Sequence, residues 1–299
     1  MVGVGIDLAP ERAFLELLGG VLREAVDYFE ITPETTWWCD ESGALGTNGY
    51  HRRFAALVDE TGRPCVAHGV GLSLGSAGRA DVARRRRWLG RIAADHRRFK
   101  FRWYTEHLGI TAPDGAALAL PLPLPMDAQA ARVVRRRLFA MQQIVPDVGV
   151  ENSVQYFLLG NALDEAGFLG RVLRAPRTHL LLDLHNVYAN SVNFKSYDRW
   201  QYLRTLPLSR VVEIHIAGGQ WLEEWYHDLH NHAVPEPVWE MLAWVLERAP
   251  NLRAVCLEVQ GPAHTSRSRA VGPEWLEMIG ADLDKARALW DRLRRKAPA

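Results

Sequence analysis

The chain has 299 residues, 48% of them hydrophobic and 24% charged, with a formal net charge of +1. That length and composition suit a globular protein with a large buried core, and the near-neutral balance gives no global argument for nucleic acid or a membrane as partner. Cys39, Cys65 and Cys256 stand far apart without CxxC spacing, which speaks against a disulfide framework or a thiolate zinc site.

Short apolar, β-prone runs recur along the chain. The first is VGVGID (residues 2–7), after which Pro10 opens a helix; then come DYFEI (27–31), CVAHGVGL (65–72) and FKFRWYTEH (99–107). A Pro-rich passage at 112–127 follows the fourth run, and AQAARVVRRRLFAMQQI predicts a strong helix after it. DVGVEN (147–152), HLLLDLHN (179–186), VVEIHIAGG (211–219) and RAVCLEVQG (253–261) complete the strands. EPVWEMLAWVLERA and PEWLEMIGADLDKARALWDRLRRK predict two more helices. Arginine runs at 84–87 and 135–137 and near the end of the chain fall in helical segments and predict solvated outer faces. No basic-then-apolar leader and no bilayer-length apolar run is present, so the cytoplasm is the expected location.

Eight strands, each followed by room for a helix, predict a parallel sheet with right-handed crossovers. The count is that of an α/β (β/α)8 TIM barrel, expected here as a single domain over residues 1–299; an open doubly wound sheet is the alternative. The Pro-rich passage then reads as a long loop over the barrel mouth.

Side chains able to bind metal or move protons gather at the strand ends: Asp7, Glu30, His68, Glu106 with His107, Glu151 with Asn152, Asp183 with His185 and Asn186, His215 and Glu258. Strand ends of a barrel converge on one mouth. Asp183 and His185 share a face if their strand persists that far, and Asn186 would come from the turn beyond. After the seventh strand, WYHDLHNHAV adds the pair Asp228 and His230, with His227 and His232 beside it. Burying so many carboxylates without cations would cost several kcal/mol each, on the order of the desolvation penalty, and a divalent metal removes that cost. Mixed N/O ligation without cysteine suits iron, manganese or zinc. Glu213 has the parity of His215 but lies deeper, where an internal salt bridge is expected; His51, His96, His179 and His264 lie off the pattern and are read as structural.

In this order, TEHLG (105–109), VENSVQYF (150–157), LDLHNVYANSVNF (182–194), EIHIAGG (213–219) and HDLHNHAVPEPVWEML (227–242) resemble the multinuclear non-heme iron-dependent oxidases, also known as DUF692. The resemblance spans nearly the whole chain. It implies two or three irons, ferrous and ferric, at the mouth of the barrel. It also implies dioxygen as co-substrate and a ribosomally made precursor peptide as substrate, often oxidised at cysteine. A separate protein that holds the peptide's leader is the implied partner, with no role for nucleic acid or membrane. Carried over by motif, the implied iron ligands are His68, His107, Glu151, Asp183, His215, Asp228, His230 and Glu258, with Asn152 and His185 as further candidates. Asp183, His215 and Glu258 are the expected catalytic members. This chain has His185 where many relatives have a second Asn, and Val259–Gln260 where Trp-Asp is frequent. Two other classes compete: a redox-neutral metal barrel (a xylose-isomerase-like sugar isomerase or an endonuclease-IV-like phosphodiesterase), and a non-catalytic metal-binding partner protein.

Overall fold

The computed structural model describes residues 2–113, 118, 121–157, 159–161, 163–259 and 273–294. All eight expected runs form strands. They are β1 (Gly3–Asp7), β2 (Tyr28–Ile31), β5 (Cys65–Gly69), β6 (Tyr104–His107), β7 (Val148–Glu151), β8 (Thr178–Asp183), β9 (Val211–Ile216) and β12 (Ala254–Leu257). Every pairing is parallel, and the order β1-β12-β9-β8-β7-β6-β5-β2 closes on itself as a barrel. Closure rules out the open doubly wound sheet.

Helices α1 (Arg12–Leu17) and α2 (Gly19–Glu24) follow β1, and α3 (Gly49–Thr61), α4 (Ala80–Phe99), α5 (Ala128–Gln142) and α6 (Asp164–Val172) separate the next strands. After β8 come α7 (Leu184–Asn193) and α8 (Arg199–Thr205), followed by α9 (Glu236–Leu246) and α10 (Pro273–Arg294) among the described residues. Their limits have local causes. The Asn48 side chain accepts from the Tyr50 N–H to start α3, and Gly62, at φ 65°, stops it. Lys100 takes the left-handed conformation, φ 55°, and ends α4. The buried face of α4 carries the helix through Phe99, so the fourth barrel strand begins at Tyr104 rather than at Phe99 as its composition suggests.

Two short antiparallel hairpins, unforeseen in the sequence, sit on the rim. β3 (Trp37–Cys39) pairs with β4 (Leu45–Thr47) after β2, and β10 (Gln220–Leu222) pairs with β11 (Trp225–His227) after β9. Ile110 bridges Leu122 across the Pro-rich passage.

A large apolar core lies between strands and helices, and a smaller one, including Tyr28, Val66, Trp103 and Cys256, forms a separate packed cluster. Glu213 is buried beside that cluster, but without the expected salt bridge among the described residues. Its carboxylate accepts from Tyr28 Oη and Trp103 Nε1, both at 2.7 Å, so neutral donors satisfy it. The arginine runs are only partly solvated faces. Arg86 and Arg87 are exposed, but Arg85 is buried and donates to Ser76 O, while Arg84 donates to the carbonyls of Gly71 and Leu72. No described helix is long and apolar enough to cross a membrane.

Candidate metal centre

The C-terminal strand ends bring most of the expected donors together. His68, Glu151 and His215 each place a ligand atom within 4.8 Å of the others, as do Asp183, His215 and Glu258 in a second group and His185, Asp228 and His230 in a third. The groups interlock. Glu151 Oε2 lies 3.4 Å from His68 Nε2 and 3.2 Å from His107 Nε2, and Glu151 Oε1 lies 3.9 Å from His215 Nδ1. Glu258 Oε1 lies 3.1 Å from His215 Nδ1, and Glu258 Oε2 lies 3.6 Å from His230 Nε2. Asp228 Oδ1 lies 2.7 Å from both His185 Nδ1 and His230 Nε2.

Neighbouring groups hold the rings in place. His68 Nδ1 lies 3.0 Å from Thr105 Oγ1, His107 Nδ1 lies 3.2 Å from Gly69 O, and His215 Nε2 lies 3.0 Å from Glu30 Oε2. Each contact uses one ring nitrogen and leaves the other facing the mouth, the arrangement that fixes a ligand histidine. Glu30 was visible in the sequence as a strand-end acid; its role as the support of His215 was not, because it depends on which nitrogen it meets.

Strand β8 ends earlier than the alternation in HLLLDLHN suggests. It stops at Asp183, whose Oδ1 accepts from the Asn186 N–H at 2.6 Å and so caps α7. Asp183 and His185 therefore do not share a strand face. His185 sits in the first turn of α7 and reaches Asp228 and, at 3.1 Å, Tyr226 Oη. Asn152 binds the backbone of Asp183: its Nδ2 donates to Asp183 O at 2.9 Å, and its Oδ1 accepts from the Asp183 N–H at 2.8 Å. Both amide atoms are thus engaged in tying the end of β7 to the end of β8. Glu106 has the opposite strand parity to His107 and turns away from the donors to accept from the Leu72 N–H.

Off the donor set, His51 meets Asp95, His179 meets Asp147, His232 meets the Asn231 side chain, and His227 packs on Tyr156. His96 packs against Phe101. Gln260 and His264 lie outside the described residues.

The loop after β9 requires its glycines. A Cβ on Gly218 would lie 2.1 Å from His232 O, and one on Gly219 would lie 2.0 Å from His227 O. The Gly219 N–H also donates to Tyr226 Oη at 2.9 Å, which fixes the phenol against His185. His230 adopts the left-handed region, φ 51°, a conformation costing on the order of 1 kcal/mol that the surrounding contacts hold.

Burial dominates the electrostatics. It pushes His68 down to about 3, which keeps this imidazole neutral and able to ligate. Burial raises Glu151 and, with Glu258 and Glu151 close by, Asp183. Burial and the nearby Glu258 push Asp7 up to about 7. Burial alone would lower His215 and His230, but facing carboxylates outweigh it and raise both: Glu258 and Glu30 for His215, Asp228 and Glu258 for His230. Five buried inward atoms, His68 Nε2, Glu151 Oε2, His215 Nδ1, His230 Nε2 and Glu258 Oε2, face one another or a neighbouring donor or acceptor in ion-pair contact but make no well-directed hydrogen bond. Native proteins rarely leave buried atoms poorly hydrogen-bonded in this way, and a cation between them accounts for all five at once. The donor set is imidazole and carboxylate, and it fits a multinuclear divalent or trivalent metal centre.

Residues 3–265 match the family model described as RiPP precursor modification enzyme MbnB/TglH/ChrH. The chain belongs to this family. Its curated relatives carry the name UPF0276. The Pseudomonas aeruginosa PAO1 protein is 34% identical over 243 residues, covering 80% of each chain, and the Caulobacter vibrioides protein is 31% identical over 298 residues, covering 98% of this chain and 96% of its own. Among solved structures, the D-psicose 3-epimerase of Clostridium cellulolyticum superposes with TM-score 0.62 at 14% identity over 98% of both chains. Endonuclease IV of Thermus thermophilus gives 0.51 at 16%, covering 92% of this chain and 99% of its own. At such identities the likeness shows the barrel alone. Family membership makes the chain one of a group of metal-dependent enzymes that modify RiPP precursor peptides.

Proposed function

We propose that this MbnB/TglH/ChrH-family protein is an iron-dependent oxidase that uses dioxygen to modify a residue, cysteine in the first instance, of a ribosomally made precursor peptide. The observation that carries the reading is the interlocked donor set in which Glu151, His215 and Glu258 each face more than one group, with five buried donor atoms lacking a well-directed hydrogen bond. The residues that would hold two or three irons are His68, His107, Glu151, Asp183, His215, Glu258, Asp228, His230 and His185. Bound iron would supply redox chemistry and a site at which thiolate and dioxygen meet.

The chain's own residues do the rest. Thr105, Gly69 O and Glu30 orient His68, His107 and His215 so that one nitrogen of each faces inward. The Asn152 clamp fixes Asp183 relative to Glu151. Tyr226 Oη, 3.1 Å from His185 Nε2, holds that ring beside the third group. A separate leader-holding partner protein and a cytoplasmic setting complete the reading, as does a single barrel domain over residues 1–299.

Metal analysis of protein purified without oxygen tests it, followed by oxygen-uptake measurement with Cys-containing peptides encoded near the gene. At least two irons per chain and peptide-dependent oxygen consumption are expected. Stoichiometric zinc with less than one iron per chain would overturn the redox reading and favour redox-neutral metal chemistry.

A further inference from the structure

Rings as well as ligand atoms meet at the mouth. His230 and His185, both in the third donor group, lie edge to face with centroids 6.0 Å apart, and His185 lies edge to face with Tyr226 at 5.5 Å. Tyr226 in turn meets the Trp221 indole at 5.6 Å, with the ring planes at 70°. The run passes from a candidate metal ligand to the surface: His185 is fully buried, Tyr226 is 4% exposed and Trp221 is 53% exposed. Among the described residues, the other ring contacts of the donors, His68 with His107 and His68 with His215, stay within the donor set.

Backbone contacts fix the run. Trp221 and Tyr226 are opposite partners in the β10–β11 hairpin, so the strand register itself brings their rings together. Tyr226 Oη accepts from the Gly219 N–H at 2.9 Å and lies 3.1 Å from His185 Nε2. The Asn193 side chain clamps the Tyr226 backbone, accepting from its N–H and donating to its carbonyl, both at 2.9 Å. A Cβ on Gly219 would lie 3.1 Å from the His185 ring, so the loop already touches the imidazole. The indole of Trp221 is half in water, and burial alone does not account for so large a ring at this place.

Indole and phenol give up an electron more readily than other side chains without sulfur, and rings in edge contact pass an electron better than saturated side chains do. We propose that His185, Tyr226 and Trp221 form an electron path between the metal centre and solvent, through which Trp221 supplies electrons when dioxygen is reduced there with no peptide in the mouth. The proposal rests on the iron-and-dioxygen reading above and adds a protective function to it, because oxidation moves from buried histidines to a surface residue. The balance closes with water and dioxygen alone. Trp221 gives up two electrons in turn, takes an oxygen from water as a hydroxyl group on the indole, and releases two protons to solvent. The two electrons, with two protons, convert dioxygen to hydrogen peroxide. Tyr226 and His185 are intervening rings and end unchanged.

Two other exposed tryptophans are internal controls. Trp225 is 37% exposed on the same hairpin but its ring meets Phe194, and Trp38 is 50% exposed on the other rim hairpin. Iron-loaded protein is exposed to dioxygen without peptide, with catalase present, and tryptophan oxidation is mapped by mass spectrometry of its peptides. Trp221 is expected to gain oxygen several-fold more than Trp225 or Trp38, and zinc-loaded protein to show no such preference. Tyr226→Leu is expected to bring Trp221 down to the level of Trp225 at equal iron content; His185→Asn, which also removes a ring from the run, serves should that variant not fold. Equal oxidation of the three tryptophans would overturn the path, as would a preference for Trp221 that survives the loss of the intervening ring. Iron-loaded protein that consumes dioxygen with peptide but spares Trp221 removes the path alone, whereas a chain that binds no iron removes the path and the reading beneath it.

Discussion

His215 has two ring nitrogens and each faces a carboxylate, Glu30 at 3.0 Å on Nε2 and Glu258 at 3.1 Å on Nδ1. Glu30 thereby decides which nitrogen is turned to the mouth and how basic it is. Glu30→Ala is expected to weaken iron binding by about 10–100-fold, the usual effect of removing such a support, in competition with a coloured ferrous chelator. Glu30→Gln, which can still accept from Nε2–H, should retain more affinity than the Ala variant; equal affinity of all three proteins would remove Glu30 from this role. Asn152 acts differently. Its amide satisfies both backbone groups of Asp183, and Asn152→Ala would leave them buried and unpaired. The expected loss is about 2 kcal/mol of unfolding free energy, read by denaturant titration of the metal-free protein. A residue that only bound metal would leave that measurement unchanged.

Among the elements, α6 carries a buried acid that is not one of the candidate donors. Glu165 accepts from the Ser153 N–H at 3.1 Å and from Tyr202 Oη at 2.6 Å, which holds the loop after β7. Burial pushes its carboxyl from 4.5 up to about 7. The folded chain therefore binds this proton more tightly than the unfolded chain, and between about pH 4.5 and 7 stability falls as pH rises. The loss is complete above pH 7 and amounts to roughly 3 kcal/mol at most. Glu165→Gln removes that dependence, so the variant should gain on the unsubstituted protein between about pH 5 and pH 8 in urea unfolding; an unchanged gap would show that the acid is already ionised in the fold. The barrel itself was legible because eight apolar runs alternate with amphipathic stretches, a pattern that survives errors at individual boundaries. The rim hairpins were not: LEEW turns without Asn-Gly, with Glu223 at φ 54°, so no local turn signal announces it. Nor was the end of β8 legible, since Asp183 suits a strand tip and a helix cap equally and only the Asn186 N–H decides between them. Convergence of strand ends located the donors without structure; the Asn152 clamp and the inward arginines required knowledge of which atoms meet.

For the whole molecule, the barrel gathers into one mouth acids that the folded chain holds above their ordinary range. Glu30, Glu151 and Asp183 are all raised, with burial the largest cause. The metal-free barrel consequently retains protons there that ligation must displace. Adding ferrous ion to metal-free protein near pH 7, in weak buffer without oxygen, is therefore expected to release about one proton or more per ion. Apparent affinity should rise with pH for the same reason, because deprotonation becomes less costly. The linkage has a thermal counterpart. Metal at about a thousandfold excess over its dissociation constant stabilises by roughly 4 kcal/mol. In a chain of this size that corresponds to about 6 °C in Tm, so removing the metal should lower Tm by roughly that amount. The two measurements together separate this centre from an adventitious surface site: ions bound to exposed acids would displace few protons and leave Tm almost unchanged, whereas loading the mouth moves both.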